Sequence, residues 1–258
     1  MRPAAGAPTH LGVPMKTHLI AVSLIALAAV AGCASTGATN VSPEQLAAYQ
    51  QAQTDVQRLT GEANQNVLLA PWTGPHGGVP PWDHAQAAAF PAAFELGINL
   101  QAAEINAIAN NPEAPSFANT IEAMQGAGEH LSRAGTLFSV LSANVSNPDV
   151  QRVQAEWFPR LTRAGNEITF NRALFQRIDT LYQQRATLGL TAEQNRLLER
   201  TRAQFVRAGA ALTPEQQTRL GAINQELSAK FTEFNRRLLA DEDTAIFINT
   251  QRDLAGLP

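Results

Sequence analysis

One cysteine, Cys33, occurs among 258 residues, which excludes an internal disulfide and any cysteine-rich metal site. Charge is scarce as well: Asp, Glu, Lys and Arg make up 16% of the chain, against about 25% in an average soluble protein. The 22 acids and 19 bases leave a net charge of −3, so there is no basic footprint for nucleic acid. No His-Glu-x-x-His, Gly-x-Ser-x-Gly or phosphate-loop pattern is present, which removes the usual zinc-hydrolase, serine-hydrolase and nucleotide signatures from this stretch of sequence. His10 and His18 fall in the leader, and His76, His84 and His130 fall on separate predicted elements, so they do not read as a ligand set. Asp241, Glu242 and Asp243 are adjacent but lack the ligand spacing of a calcium loop, and read as a solvated acidic turn. No catalytic residue and no metal ligand is therefore assigned in this chain.

The first forty residues read as an address. "MKTHLIAVSLIALAAVAGC", residues 15–33, has a basic start at Lys16 and an apolar core from Leu19 to Ala31, too short to span a bilayer stably. Val30-Ala31-Gly32-Cys33 resembles a bacterial lipobox, which makes residues 1–33 a signal peptide and Cys33 the lipidation site; the bland reading is an unlipidated cysteine in an ordinary signal. Met15 is a plausible start, and residues 1–14 read as a start-site artefact. Ala34 stands where an aspartate would resemble an inner-membrane retention signal, so the expected location is the cell envelope, facing the periplasm and anchored to the outer membrane. A small, polar tether follows over 34–41 and leads into the first helix, the two together covering 34–65.

What the sequence has in abundance is helix. Ala, Leu, Gln, Glu and Arg dominate, and aromatics make up only 6%. "SPEQ" at Ser42, "TAEQ" at Thr191 and "TPEQ" at Thr213 each place a hydroxyl at an N-cap and a glutamine three residues later, the capping-box spacing. Pro43 and Pro214 occupy first helical positions, where a missing N–H costs nothing. The pattern predicts helices over about 43–60, 91–110, 117–144, 148–164, 167–187, 192–210 and 214–240. Phe94, Ile98, Ala102, Ile105 and Ala109 form the expected inner face of the second. "NNPEAPS", 110–116, is the turn of an antiparallel helix pair, with Ser116 as the next N-cap. In the last helix Leu220, Ile223, Leu227, Phe231, Phe234 and Leu238 advance by threes and fours, a stripe for packing on a neighbouring helix. "TAIFINT", 244–250, alternates like a short strand, with no evident partner. "NVLLAPWTGPHGGVPPWD", 66–83, is too rich in proline and glycine for regular structure. It reads either as a segment pinned over the domain by Trp72 and Trp82 or as a ligand-binding loop. The predicted fold class is all-α, with one short strand near 244–250.

The longest phrases carry a resemblance. "NVLLAPWTGPHGGVPPWD", "FPAAFELGINLQAAEINAIANNPEAPSFANTIEAM", "LFQRIDTLYQQR", "TAEQNRLLE" and "FVRAGAALTPEQQTRLGAINQELSAKFTEFNRRLLAD" together resemble the N-terminal region of the thimet oligopeptidase and peptidyl-dipeptidase family of zinc metallopeptidases, from about Asn66 onward. "WTGPHGGVPPWD" is most like the peptidyl-dipeptidase branch. "MQGAG" and Trp82 depart from the usual wording, and "DEDTAIFINTQRD" is a loose version of its segment. The resemblance implies that residues 66–258 are the helical region ahead of the zinc-binding part, one wall of a channel for short peptide substrates. It implies zinc as the cofactor of the full-length family, none of it bound by this chain, which is expected to be inactive alone. The other reading is a non-enzymatic helical envelope lipoprotein that binds peptides or a protein partner. The resemblance further implies that Phe231, Phe234 and Leu238 leave an exposed apolar patch in this stretch taken by itself.

Overall fold

The computed structural model describes residues 41–145, 147–242 and 250–256. Cys33, the rest of the leader and all but Thr250 of the expected strand lie outside them. Every regular element among the described residues is helical, and the one β feature there is an isolated antiparallel bridge between Thr73 and Val79. Among the described residues eight α-helices follow one another: α1 Pro43–Gln65, α2 Phe90–Ala109, α3 Ala123–Gly126, α4 Glu129–Asn144, α5 Pro148–Thr169, α6 Arg172–Gln184, α7 Ala192–Arg207 and α8 Pro214–Glu242.

The caps act largely as their spacing implies. Thr191 accepts from the Gln194 amide at 3.2 Å while Gln194 Oε1 accepts from the Thr191 amide at 3.0 Å. Thr213 and Gln216 repeat the exchange at the start of α8. Ser42 takes the Gln45 amide at 3.1 Å, but the Gln45 side chain turns away and donates to the Asn110 carbonyl at 3.5 Å, tying the start of α1 to the end of α2. Ser116 and Asn119 form a full capping box, and the turn that follows, Phe117–Glu122, is a π-helix rather than the α-helix expected.

Three expected boundaries move. The helix predicted over 117–144 is interrupted, because Gly128 adopts φ +82°, and its amide donates to Glu104 of α2 at 2.6 Å. The break predicted near Gly165 falls instead at Phe170–Asn171, where Asn171 Oδ1 accepts the Leu174 amide and caps α6. The first helix continues five residues past its predicted end, to Gln65.

Two buried clusters hold the helices together. In the first, Phe90 and Phe94 of α2 meet Phe138 of α4 at 4.9 and 5.4 Å between ring centroids, and Trp157 of α5 lies 5.7 Å from Phe94. Leu59, Ala63, Leu68 and Leu69 close that cluster from α1 and the segment after it. The second gathers Ile105, Ile108, Ile121, Leu174, Ile178, Leu181 and Leu198 between the end of α2, the π-turn, α6 and α7. α2 serves both. Its buried residues, among them Phe90, Ala93, Phe94, Gly97, Leu100, Ala103 and Ile108, run round most of the helix. Ile98 and Ala102 of the predicted inner stripe are only half-buried and border a groove beside Ala164 and Ile168. α2 and α4 run antiparallel, as the 110–116 turn implies: Gly97 lies under Leu131 while Glu104 reaches Gly128.

Candidate functional site

The family implied by the sequence needs zinc, and the described residues do not fit it. His76 is exposed in a 3-10 turn, His84 is exposed beside Asp83, and His130 sits on α4 with Nε2 3.2 Å from Asn64 Oδ1 of α1. No three His, Cys, Asp or Glu side chains among the described residues come together as a metal cage. Asp241 stands at the end of α8, and Asp243 lies outside the described residues.

The proline-rich segment is pinned at one indole rather than two. Trp72 is half-buried against the first cluster, whereas Trp82 is 45% exposed at a 3-10 turn. Two positive-φ glycines, Gly74 and Gly78, let the Thr73–Val79 bridge close, and His76 between them adopts φ +58°. A Cβ on Gly78 would come within 2.8 Å of the Trp72 backbone carbon, so that approach requires glycine.

One functional candidate escaped the sequence reading. Arg177 of α6 is buried, 7% exposed, and its hydrogen bonds among the described residues go to carbonyl, amide and hydroxyl oxygens. It donates through Nη1 to the carbonyls of Asn111 and Glu113 at 2.9 and 3.1 Å. Nη2 donates to Asn119 Oδ1 at 2.8 Å, and Nε to Thr120 Oγ1 at 3.3 Å. Burial pushes its pKa down, and the charges of Glu113 and Tyr49 partly offset that. Thus one guanidinium fastens the whole 111–120 stretch, turn and π-helix alike. A guanidinium's fixed fork can satisfy several carbonyls at once, which a point-charge ammonium does not do with the same geometry. Its role is to hold the turn; nothing leaves it poised for chemistry.

The surface with a clear unmet demand is α8. It packs antiparallel on α5: Asn224 donates to Asn166 at 2.9 Å, and Thr232, Arg236 and Leu239 lie beside Gln151 and Ala155 at the other end. The residues it turns to α5 are mostly small or polar. Leu220 is half-buried near Phe170 and Gly209, as the stripe requires. Beyond it the stripe faces outward, with Phe231 65% and Phe234 61% exposed and Ile223, Leu227 and Leu238 exposed with them. The expectation that the whole stripe packs on a neighbouring helix is corrected here, while the expected patch at Phe231, Phe234 and Leu238 is present. Together these side chains present on the order of 500 Å² of apolar surface, at the upper end of what a monomer shows. Burying it would yield about 10 kcal/mol gross. The charges along α8 are held among themselves: Glu233 accepts from Arg236 and Arg237 at 2.6–2.8 Å, which lowers its carboxyl to about 2. No helix among the described residues is long and apolar enough to cross a membrane.

No protein-family model matches the chain. It is 36% identical over 179 residues to the dipeptidyl carboxypeptidase of Salmonella typhimurium (strain LT2), a match covering 69% of this chain and 26% of that protein. It is 37% identical over 166 residues to the dipeptidyl carboxypeptidase of Escherichia coli (strain K12), covering 64% of this chain and 24% of that protein. The chain thus spans about a quarter of the length of the curated relatives it matches. By sequence, this chain, helical throughout the regular elements of its described residues, is a partial-length homologue of the dipeptidyl carboxypeptidases.

Proposed function

We propose that the helical unit works as the non-zinc-binding part of a zinc peptidyl-dipeptidase that releases C-terminal dipeptides from short peptides. In this reading its helices form one wall of the channel that admits the substrate. The observation that carries it is the identity of 36–37% with two dipeptidyl carboxypeptidases over about two thirds of this chain. Zinc would be held by residues outside the described ones, since those present do not assemble a cage. When bound, the metal supplies an activated water and a Lewis acid for amide hydrolysis. The residues described here would shape and bound the space in which a peptide is presented. The lipobox-like Val30-Ala31-Gly32-Cys33 supports, as part of the same proposal, an acyl anchor at Cys33 that keeps the unit at the cell envelope.

Antibodies against residues 41–258 test the peptidase reading. Immunodepletion of a detergent extract of the source cells should remove chelator-sensitive release of C-terminal dipeptides in proportion to the chain removed. Full retention of that activity after complete depletion would leave the non-enzymatic lipoprotein reading. Labelled palmitate tests the anchor separately: Cys33→Ser should abolish incorporation, and equal incorporation by the variant would refute it.

A further inference from the structure

Charge is spread unevenly over the helices, and the α6–α7 hairpin carries a positive surplus. Residues 172–207 hold seven arginines against three acids, Asp179, Glu193 and Glu199, in a chain whose net charge is −3. On other helices bases are answered within a turn: Arg58 by Asp55 and Glu62, Arg152 by Asp149, Arg160 by Glu156 and Lys230 by Glu226. In the hairpin one ion pair forms among the described residues, Arg202 with Asp179 at 2.6 Å. Arg185 and Arg202 also stack on the Tyr182 ring, at 4.1 and 4.4 Å from its centroid, and Arg177 is committed to the 111–120 stretch. With Arg172 at the start of α6, that leaves Arg196, Arg200 and Arg207 of α7, all exposed and none in an ion pair among the described residues.

The last three share a face. On an α-helix, positions 196, 200 and 207 fall within about 40° of arc and span about 16 Å of length. Buried Leu198 and Thr201 and half-buried Phe205 lie on the opposite side, so the three guanidiniums form a line directed away from the core. The acids nearby do not cancel it. Glu193 begins the same line in the first turn of α7, where the helix N-terminus favours a carboxylate. Glu199 flanks the line, half-buried, and Glu215 at the start of α8 is engaged by the Thr213 hydroxyl and its own amide. With Glu193 counted, the line keeps a surplus of two positive charges and the hairpin a surplus of four.

The make-up of the face selects its partner. Ala203 and Gln204 stand between the arginines, and no aromatic or branched apolar side chain lies on the line. A folded protein partner is gripped through such anchors, whereas a plane of anionic headgroups asks only for positive charge held at one level. Nucleic acid fits less well, because a chain of net charge −3 and pI about 6.0 exerts no long-range attraction on a polyanion. A free protein would meet the same obstacle at an anionic bilayer. A chain already tethered to the bilayer does not, since the charge of the nearest face then decides how it lies.

We infer that the Arg196–Arg200–Arg207 face of α7 lies on the anionic phosphate headgroups of the membrane that holds the chain. The inference rests on the reading of Cys33 as an acyl anchor. It adds a second, electrostatic contact of the kind that turns marginal acyl binding into stable attachment.

The test uses the full chain from a detergent extract, reconstituted in phosphatidylcholine vesicles with or without phosphatidylglycerol. An environment-sensitive fluorescent side chain is placed at 204, between Arg200 and Arg207, or at exposed Val140 of α4 as a reference. The probe at 204 should shift to the blue only when phosphatidylglycerol is present, and salt should reverse the shift. The probe at 140 should not respond. Arg196→Gln with Arg200→Gln and Arg207→Gln should lower the ratio of headgroup-bound to free face about 100-fold, roughly fivefold per arginine. Arg196→Lys with Arg200→Lys and Arg207→Lys should keep most of the response, because a charged plane is met as well by an ammonium as by a fork. All three side chains are exposed and unpaired, so circular dichroism and the unfolding midpoint should not change. An equal shift on phosphatidylcholine alone, a shift that salt does not touch, or a full response from the glutamine variant would each overturn the assignment. So would a response at 204 to polyglutamate or duplex RNA but not to the vesicles. If Cys33 takes up palmitate while 204 stays silent, the arginine face falls and the anchor stands. If Cys33 takes up none while 204 gives the salt-sensitive shift, the anchor falls and the arginine face stands.

Discussion

α2 and α8 are both long helices with apolar residues every three to four positions, and they have opposite fates. α2 buries ten of its twenty residues and touches α1, α4, α5 and α6. α8 has twenty-nine residues, and among its described side-chain positions only Gly221 is buried. Periodicity tells which face of a helix is apolar; it does not tell whether anything lies on that face. For α2 the neighbours are at hand: the chain reverses at 110–116 and lays α4 back along it, and α1 and α5 close the remaining sides. For α8 the main helical neighbour among the described residues is α5, and contact is made through Asn224–Asn166 and small side chains. The same sequence pattern is a core in the first case and an exposed face in the second.

Truncation should separate the two helices most strongly. Phe94→Ala removes a fully buried ring in contact with Phe90, Phe138 and Trp157, and should cost about 3–5 kcal/mol in urea or thermal unfolding. Phe231→Ala removes a ring that is mostly in water and should change stability by no more than about 0.5 kcal/mol. A loss above about 2 kcal/mol at Phe231 would mean that α8 is covered within this chain, and the contrast would fail.

A smaller effect is expected at the device that sets the direction of the chain after α2. Arg177→Ala leaves the carbonyls of Asn111 and Glu113 and the side chains of Asn119 and Thr120 without their donor, and should cost about 2–3 kcal/mol. Limited proteolysis should then cut within 110–116 first. Arg177→Lys should recover only part of the loss, because an ammonium lacks the planar fork.

Much of this was legible from the residues. The capping boxes at Thr191 and Thr213, the reversal at Pro112–Pro115 and the phrases shared with the peptidase relatives are local signals, written within a few positions of the structure they produce. Arg177 was not legible, because its acceptors lie 57–66 residues away and nothing near it marks it as different from other helical arginines. The Asn171 cap was available as a signal, but the predicted break, between 164 and 167, fell before it beside Gly165. In the structure, a Cβ at Gly165 would meet nothing within 4 Å, so that glycine marks neither a turn nor a close approach. Trp82 shows a limit of composition: two indoles flanking one irregular segment look equivalent, and only packing decides that Trp72 is held and Trp82 is exposed.

The smallest effect concerns pH. His130 joins α4 to Asn64 of α1, with Glu129 and Arg133 on its own helix. Burial, then the Arg133 charge, lower its pKa, and Glu129 opposes them. The folded pKa is therefore below the unfolded value of about 6.5, so the unfolded chain binds more protons between the two. Stability from this group is complete above about 6.5 and declines as pH falls below it toward the folded pKa. Denaturation at pH 7.5 and 5.5 should show a shallow loss on acidification that His130→Gln reduces. A wild-type slope of opposite sign that the variant abolishes would contradict the assignment.

Hydroxyl-radical footprinting of the monomeric chain compares the two helices in one experiment. Phe231 and Phe234 should be oxidised at rates near those of exposed phenylalanine, and Phe90 and Phe94 should remain almost unmodified. If Phe231 and Phe234 are as protected as Phe94 in a monomer, α8 is already covered and its apolar face is not open.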